Sequence, residues 1–309
     1  MSIRHRPTHL VLAALLVAGA LAGCGDDDAS DDASDEVSTD PARSGASSGG
    51  GADDTDGPAS LTVTLVERDG GYAFQLPASV EAGATRITLV NEGSEDHHAQ
   101  LFRLNPDATI DDLREALASG DPVAALPLGS YEGGTSVVGP GETSRADAVV
   151  DLTEGTWALI CFIEDPGGVP HMANGMLQPF EVVAAEEPAE LPEADAELTL
   201  LDYGFAGPES VPGDAVLELT NASEVEPHEM VIARLDDGAT PDDVLAALGE
   251  ESEPPMTPVG GVQALLPGAG QRVQLDLEPG EYVIACGIPS ILDGVPHVEK
   301  GMVGTLTVT

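Results

Sequence analysis

The sequence predicts an all-β protein built as two tandem β-sandwiches, each with one short inserted helix, after an N-terminal leader and an unstructured spacer. Three observations predict this class. Short segments alternate apolar and polar residues with period two and are separated by Gly and Pro turns, the pattern of half-buried strands. The first half of the chain returns in the second after about 125 to 131 residues, far beyond solenoid periods, which marks duplicated domains. A chain of 309 residues has room for both.

Arg4, His5 and Arg6 form a basic start, residues 10–21 an apolar core, and Leu21-Ala22-Gly23-Cys24 follows. The apolar core is too short for a comfortable membrane span. Small residues before a cysteine resemble a bacterial lipobox, which implies cleavage before Cys24 and a lipid on its sulfur. The expectation is a signal peptide over residues 1–23 and attachment to the extracytoplasmic face of the cell membrane. Residues 24–59 are rich in Asp, Ser and Gly with almost no large apolar side chain, so they read as a disordered acidic tether.

The net charge is −44, with Lys300 the only lysine, which argues against nucleic acid and anionic lipid head groups as partners. Acidity spread along the whole chain reads as a solvated surface in preference to a patch for a basic redox partner.

The repeat is visible residue by residue. Tyr72, Phe74, Pro77, Ser79 and Val80 return as Tyr203, Phe205, Pro208, Ser210 and Val211. Gly83 and Asn91 match Gly213 and Asn221, and Pro140-Gly141 matches Pro267-Gly268. The boundary falls in a Glu-, Ala- and Pro-rich stretch, giving domains at 60–184 and 194–309 joined by a linker at 185–193. Strands are expected at 61–66, 86–90, 157–162, 273–277 and 302–308. One helix per copy follows Thr109 or Thr240. Thr240 suits an N-cap, Pro241 the first helical position, and the paired aspartates the positive end of the dipole. Its apolar stripe, with Leu113, Leu117 and Val244, is for packing.

Chemistry concentrates before the last strand of each copy. Residues 161–176 read CFIEDPGGVPHMANGM, and 286–302 read CGIPSILDGVPHVEKGM. Each supplies a cysteine, a histidine behind Val-Pro, and a methionine five residues later. Thiolate, imidazole and thioether together select copper if a second histidine arrives. Aligning backward from Arg103-Leu104 and Arg234-Leu235 sets His97 opposite His228, so each half holds His, Cys, His and Met in the same order. His98 then faces Glu229 and is expected at the surface or behind the ligands. A lone exported thiol is paired, reactive or metal-bound. A disulfide between the two copies and inert buried thiols therefore stay open beside the metal.

This ligand order resembles the type 1 copper pattern of cupredoxins, of which plastocyanin and azurin are small members, over both halves. The resemblance implies Greek-key sandwiches with one copper per domain. His97, Cys161 and His171 would be strong equatorial ligands with Met176 axial, and His228, Cys286, His297 and Met302 would repeat the set. Nine residues separate Cys161 from His171 and ten separate Cys286 from His297, more than in small cupredoxins. Copper nitrite reductases resemble the chain better here. Those enzymes and the multicopper oxidases carry histidines beside the cysteine. Here Ile160 and Phe162 flank Cys161, and Ala285 and Gly287 flank Cys286. The motifs of a nucleophile elbow, a zinc protease or a P-loop are missing as well. The expectation is thus a lipid-anchored copper protein that transfers single electrons and is not an enzyme, with an unknown redox partner or copper donor or acceptor. The alternatives are a copper buffering or delivery module and a metal-free interaction scaffold.

Overall fold

The computed structural model of the protein describes residues 57–309 apart from 69, 250, 251 and 253. The first half runs β1 (Ala59–Arg68), β2 (Gly71–Gln75), β3 (Ser79–Glu81), β4 (Gly83–Asn91), β5 (Gln100–Leu104), α1 (Ile110–Leu117), β6 (Gly129–Tyr131), β7 (Ala146–Leu152), β8 (Gly155–Ile160) and β9 (Leu177–Val183). The second runs β10 (Ala196–Leu201), β11 (Gly204–Ala206), β12 (Ser210–Val211), β13 (Val216–Asn221), β14 (His228–Leu235), α2 (Pro241–Gly249), β15 (Met256–Leu265), β16 (Gly270–Leu275), β17 (Gly280–Ala285) and β18 (Val303–Val308).

The two halves have the same topology. In the first, one sheet is ordered β2-β1-β4-β7 and the other β3-β9-β8-β5-β6; the second gives β11-β10-β13-β16 and β12-β18-β17-β14-β15. Each half is a cupredoxin-like β-sandwich. Period-two sequence explains the layering: Leu61, Val63 and Leu65 of β1 are buried while Thr62 between them is exposed. They meet Leu89, Trp157 and Phe180 in the first core, and Leu200, Leu219, Ile232, Val273 and Leu306 fill the second. The Trp157 indole donates to the Thr153 carbonyl at 2.8 Å, and Tyr282, its counterpart, donates its hydroxyl to the Glu278 carbonyl at 3.0 Å. Each large ring thus fills a core while its polar tip is satisfied.

The helices cover the other face of the five-stranded sheets. Leu113 and Leu117 of α1 pack with Phe102, Ala158 and Ile160, whose neighbours Leu101, Trp157 and Leu159 point into the sandwich. Val244 of α2 packs with Val283 and Ala285. A capping box starts α1: the Asp112 amide donates to Thr109 Oγ1 and the Thr109 amide donates to Asp112 Oδ2 at 2.9 Å. Thr240 and Asp243 repeat it at the start of α2.

The joining of the two halves has no counterpart in the sequence reading. Strands β7 and β16 pair antiparallel, setting Asp147 against Gln274 and Ala148 against Val273. Isolated bridges join Thr135 to Val262 and Val138 to Val259. The shift that carries Pro140 onto Pro267 also carries Asp147 onto Gln274 and Thr135 onto Val262. Asp147 and Thr135 thus meet their own counterparts, and on either side of Asp147 the pairs exchange, Ala148 meeting the counterpart of Ala146 and Ala146 that of Ala148, as a local two-fold axis requires. Gly134 and Gly261, both with positive φ, sit at this seam, where a Cβ would collide with the carbonyl oxygens of Ala99 and Met230 respectively.

Asp147 lies beside the axis with its side chain buried. It accepts from Arg86 Nε at 2.8 Å, from Thr88 Oγ1 at 2.7 Å and from the Ser144 hydroxyl. Asp147→Ala leaves these donors without a partner and should lower stability by about 2–3 kcal/mol, read as a fall in the urea midpoint at unchanged m-value.

Candidate metal centres

Two loops deliver ligands to one end of each sandwich, and a buried asparagine shapes the first. Asn91 Nδ2 donates to the carbonyls of Glu95 and Val138 at 2.8 and 2.9 Å, while its Oδ1 accepts from the Gly93 amide at 2.9 Å. Asn221 does the same for Glu226, Leu265 and Ser223. These bonds fix the turns that carry Glu95-Asp96-His97 and Glu226-Pro227-His228.

The second loop is long but pinned at its base. The Cys161 amide donates to the Met176 carbonyl at 3.1 Å, the Met176 amide to His171 at 2.9 Å, and the His171 amide to Ile163 at 2.7 Å. Cys286, Met302, His297 and Ile288 repeat the three bonds at 3.1, 2.9 and 2.9 Å. The extra residues close on themselves, with Asp165 Oδ1 accepting from the Gly167 and Val169 amides. Loop length is therefore absorbed away from the ligands.

The structure brings together the three nearest ligands predicted for each half. His97 Nδ1 lies 3.0 Å from His171 Nδ1, and Cys161 Sγ lies 4.0 and 3.6 Å from those atoms. In the second half, His228 and His297 Nδ1 are 3.1 Å apart and Cys286 Sγ is 3.3 Å from His297 Nδ1. All six side chains are fully buried, and each triad lies within 4.8 Å. Met176 and Met302 are also fully buried beside Cys161 and Cys286 in the two cores. Both cysteines are free thiols, which removes the disulfide between the copies. Cys24 and the tether up to residue 56 lie outside the described residues. Among the described residues, no helix is long and apolar enough to cross a membrane.

A carboxylate stands at the far nitrogen of every imidazole, and sequence spacing did not reveal this. His171 Nε2 lies 3.0 Å from Glu95 and His228 Nε2 lies 3.3 Å from Asp202, both as hydrogen bonds. His97 and His297 Nε2 lie 3.5 and 3.6 Å from Glu67 and Glu226, at ion-pair distance but outside hydrogen-bonding geometry. Burial pushes Glu226 up, but bonds from the Ser290 hydroxyl and Ile291 amide and the nearby His297 outweigh it and hold the carboxyl below its ordinary range. Tyr72 stacks on His171 at 3.8 Å between centroids and donates to Glu95 at 3.1 Å. It therefore backs the site as well as the core. Tyr203 meets His297 edge-on at 5.3 Å and bonds Glu226 at 3.4 Å.

These contacts test whether a cation fits. Burial pushes the Cys161 thiol up to about 12, and it raises Cys286 as well. Burial, with the neighbouring imidazole second, lowers His97 and His297 to about 4. Without a metal, each triad is a neutral thiol and two neutral imidazoles. Glu95 and Asp202 accept from Nε2 of His171 and His228, which leaves the Nδ1 lone pair of each of those rings facing the second imidazole about 3 Å away, beside a sulfur. A bare ring nitrogen between a second imidazole and a thiol can accept a proton from either or, with both, share a metal ion. Two imidazoles, a thiolate and a thioether form the set that suits copper. The residues fit the metal.

His98 is buried, not at the surface, and its Nε2 accepts the Phe162 amide at 2.9 Å. Burial lowers it to about 3. Its counterpart Glu229, raised to about 7 by burial, accepts the Gly287 amide at 2.9 Å and donates its own amide to Cys286 Sγ at 3.4 Å. The residue after the first histidine thus braces the residue after the cysteine in both halves.

Fold and site together define a chain of two cupredoxin-like sandwiches, each with a His-Cys-His group of the kind that holds copper. No family model and no curated protein matches the chain. Among solved structures it is similar to the auracyanin of Roseiflexus castenholzii, at 22% identity over 37% of this chain and 94% of that one, with a TM-score of 0.27. It is also similar to a copper nitrite reductase from Nitrosomonas europaea, at 15% identity over 82% and 94%, TM-score 0.25. A multicopper oxidase matches at 15% identity over 81% and 88%, TM-score 0.24. Likenesses this distant assign no activity.

They do correct one expectation. Exclusion of an enzymatic role rested on the missing histidines beside the cysteines, yet the solved chains that span both halves include two enzymes. Two flanking positions cannot stand for a whole site, because folding gathers side chains from distant segments, as the carboxylates here illustrate.

Glu95→Gln should weaken copper affinity about 10-fold, measured by competition with a chelator, since it removes the anion that orients His171. Copper uptake must also displace the thiol proton. Each site should release about one proton near neutral pH, and affinity should rise about tenfold per pH unit until the thiol range is reached.

Proposed function

We propose that this chain is an extracytoplasmic, lipid-anchored copper protein that carries single electrons through one mononuclear site in each domain, 60–184 and 194–309. The observation behind this reading is the duplicated triad of buried Nδ1, Nδ1 and Sγ atoms, with a carboxylate at each Nε2. When bound, copper supplies a one-electron couple. His97, Cys161 and His171, and likewise His228, Cys286 and His297, would hold the metal, with Met176 and Met302 as the fourth residue of each set. Burial keeps water from the sulfurs, and backbone bonds from each cysteine to its methionine and histidine limit rearrangement between oxidation states. Anchoring through Cys24 suits the short apolar leader and the acidic spacer behind it.

Loading with copper(II) should produce an intense thiolate-to-copper absorption in visible light. Cys161→Ser and Cys286→Ser should each remove about half of it, and the double variant all of it. Copper uptake without such absorption, with tight copper(I) retention, would instead assign the sites to copper buffering. Cys24→Ala should move the protein from the membrane fraction to the soluble one.

A further inference from the structure

A large apolar cleft, about 1210 Å³, opens between the two halves beside both candidate metal centres. Its walls include the residue after each cysteine, Phe162 and Gly287, and the residue after each first histidine, His98 and Glu229. Those pairs are tied together by the Phe162–His98 and Gly287–Glu229 bonds, both 2.9 Å. The cleft therefore reaches to within a single residue of both thiols.

We propose that this cleft binds one uncharged ring compound of the quinone and quinol class. Four observations select that chemistry. The lining is dominated by apolar side chains and includes no lysine or arginine, so an anionic ligand finds no counter-ion in a protein of net charge −44. Phe162 and Tyr131 offer ring surfaces to a flat ligand. Four polar side chains are buried in the lining: His98 and Gln100 from the first half, Glu229 and Gln263 from the second. Ring oxygens can meet the remaining donors and acceptors of these side chains, as a plain hydrocarbon cannot, while His98 Nε2 and Glu229 Oε1 stay engaged by the Phe162 and Gly287 amides. Finally, Val123 and Leu126 of the first half and Val225 and Ile291 of the second are 40–54% exposed at the same cleft, an apolar mouth on an acidic surface. The volume exceeds the usual range of about 300–1,000 Å³ for small-molecule sites and leaves room for a ring with an apolar tail. The class deepens the electron-carrier reading by naming a redox partner, and rests on it for that role; the binding itself does not.

The test is equilibrium dialysis of metal-free protein against duroquinone, with decanoate as an anionic competitor. Saturable uptake of one duroquinone per chain, unaffected by decanoate, is expected. Ala264→Trp, which fills the cleft, should weaken it at least roughly tenfold. Val123→Asp, at an exposed position of the mouth, should do the same without touching the core, so a folding failure of the first variant does not remove the test. Both variants should still take up copper, since neither position holds a ligand. Uptake that never saturates, or that both variants retain in full, overturns the proposal. Displacement of duroquinone by decanoate overturns the neutral-ligand assignment. Because dialysis uses no metal, a missing copper absorption would sink the electron-carrier reading and leave this result standing.

Discussion

In each half, two imidazole nitrogens stand about 3 Å apart beside a thiol, with water excluded and a carboxylate behind each ring. Burial alone would keep all three groups neutral, and the two facing ring nitrogens can then share no more than a proton between them. A metal ion in place of that proton would turn both nitrogens and the sulfur into a coordination shell. Much of the surrounding structure serves to hold the donors in this position. The asparagine-clamped turn fixes one histidine, and the bonds among cysteine, methionine and the second histidine fix the rest.

The strands, the helices and the ligand triads were legible in the sequence because each leaves a local signature. Alternation exposed the strands, a threonine ahead of paired aspartates exposed the helix starts, and duplication paired His97 with His228. The carboxylates were illegible for a physical reason. Glu67, Glu95, Asp202 and Glu226 are four among 55 acidic residues, and nothing local distinguishes a carboxylate aimed at an imidazole from one aimed at water. The seam between β7 and β16 was hidden too, because a strand pairing with its own domain and one pairing across to another show the same alternation. For His98 the sequence left surface and a place behind the ligands both open, because adjacency to a ligand says nothing about which way a side chain turns; the structure selects the second.

The two halves share a topology but are not equivalent where chemistry is concerned. A stacked tyrosine backs His171, whereas the matching tyrosine meets His297 edge-on and carries the Lys300 ammonium 4.6 Å from its ring centre. A histidine braces the first cysteine loop and a buried carboxyl the second. Charge and polarity beside a thiolate set its electron affinity, so two sites with the same ligands stand in different electrostatic surroundings.

The pairing of Asp147 with Gln274 and of Thr135 with Val262 has an evolutionary reading. Contact between like positions across an axis is the contact that two separate copies of one small protein make as a homodimer. A gene duplication that fused such a dimer end to end would preserve the seam while releasing each copy from the obligation to be identical. Gln274, opposite a fully buried aspartate, illustrates that release: in a strict homodimer two aspartates would face each other there, and fusion lets one become neutral.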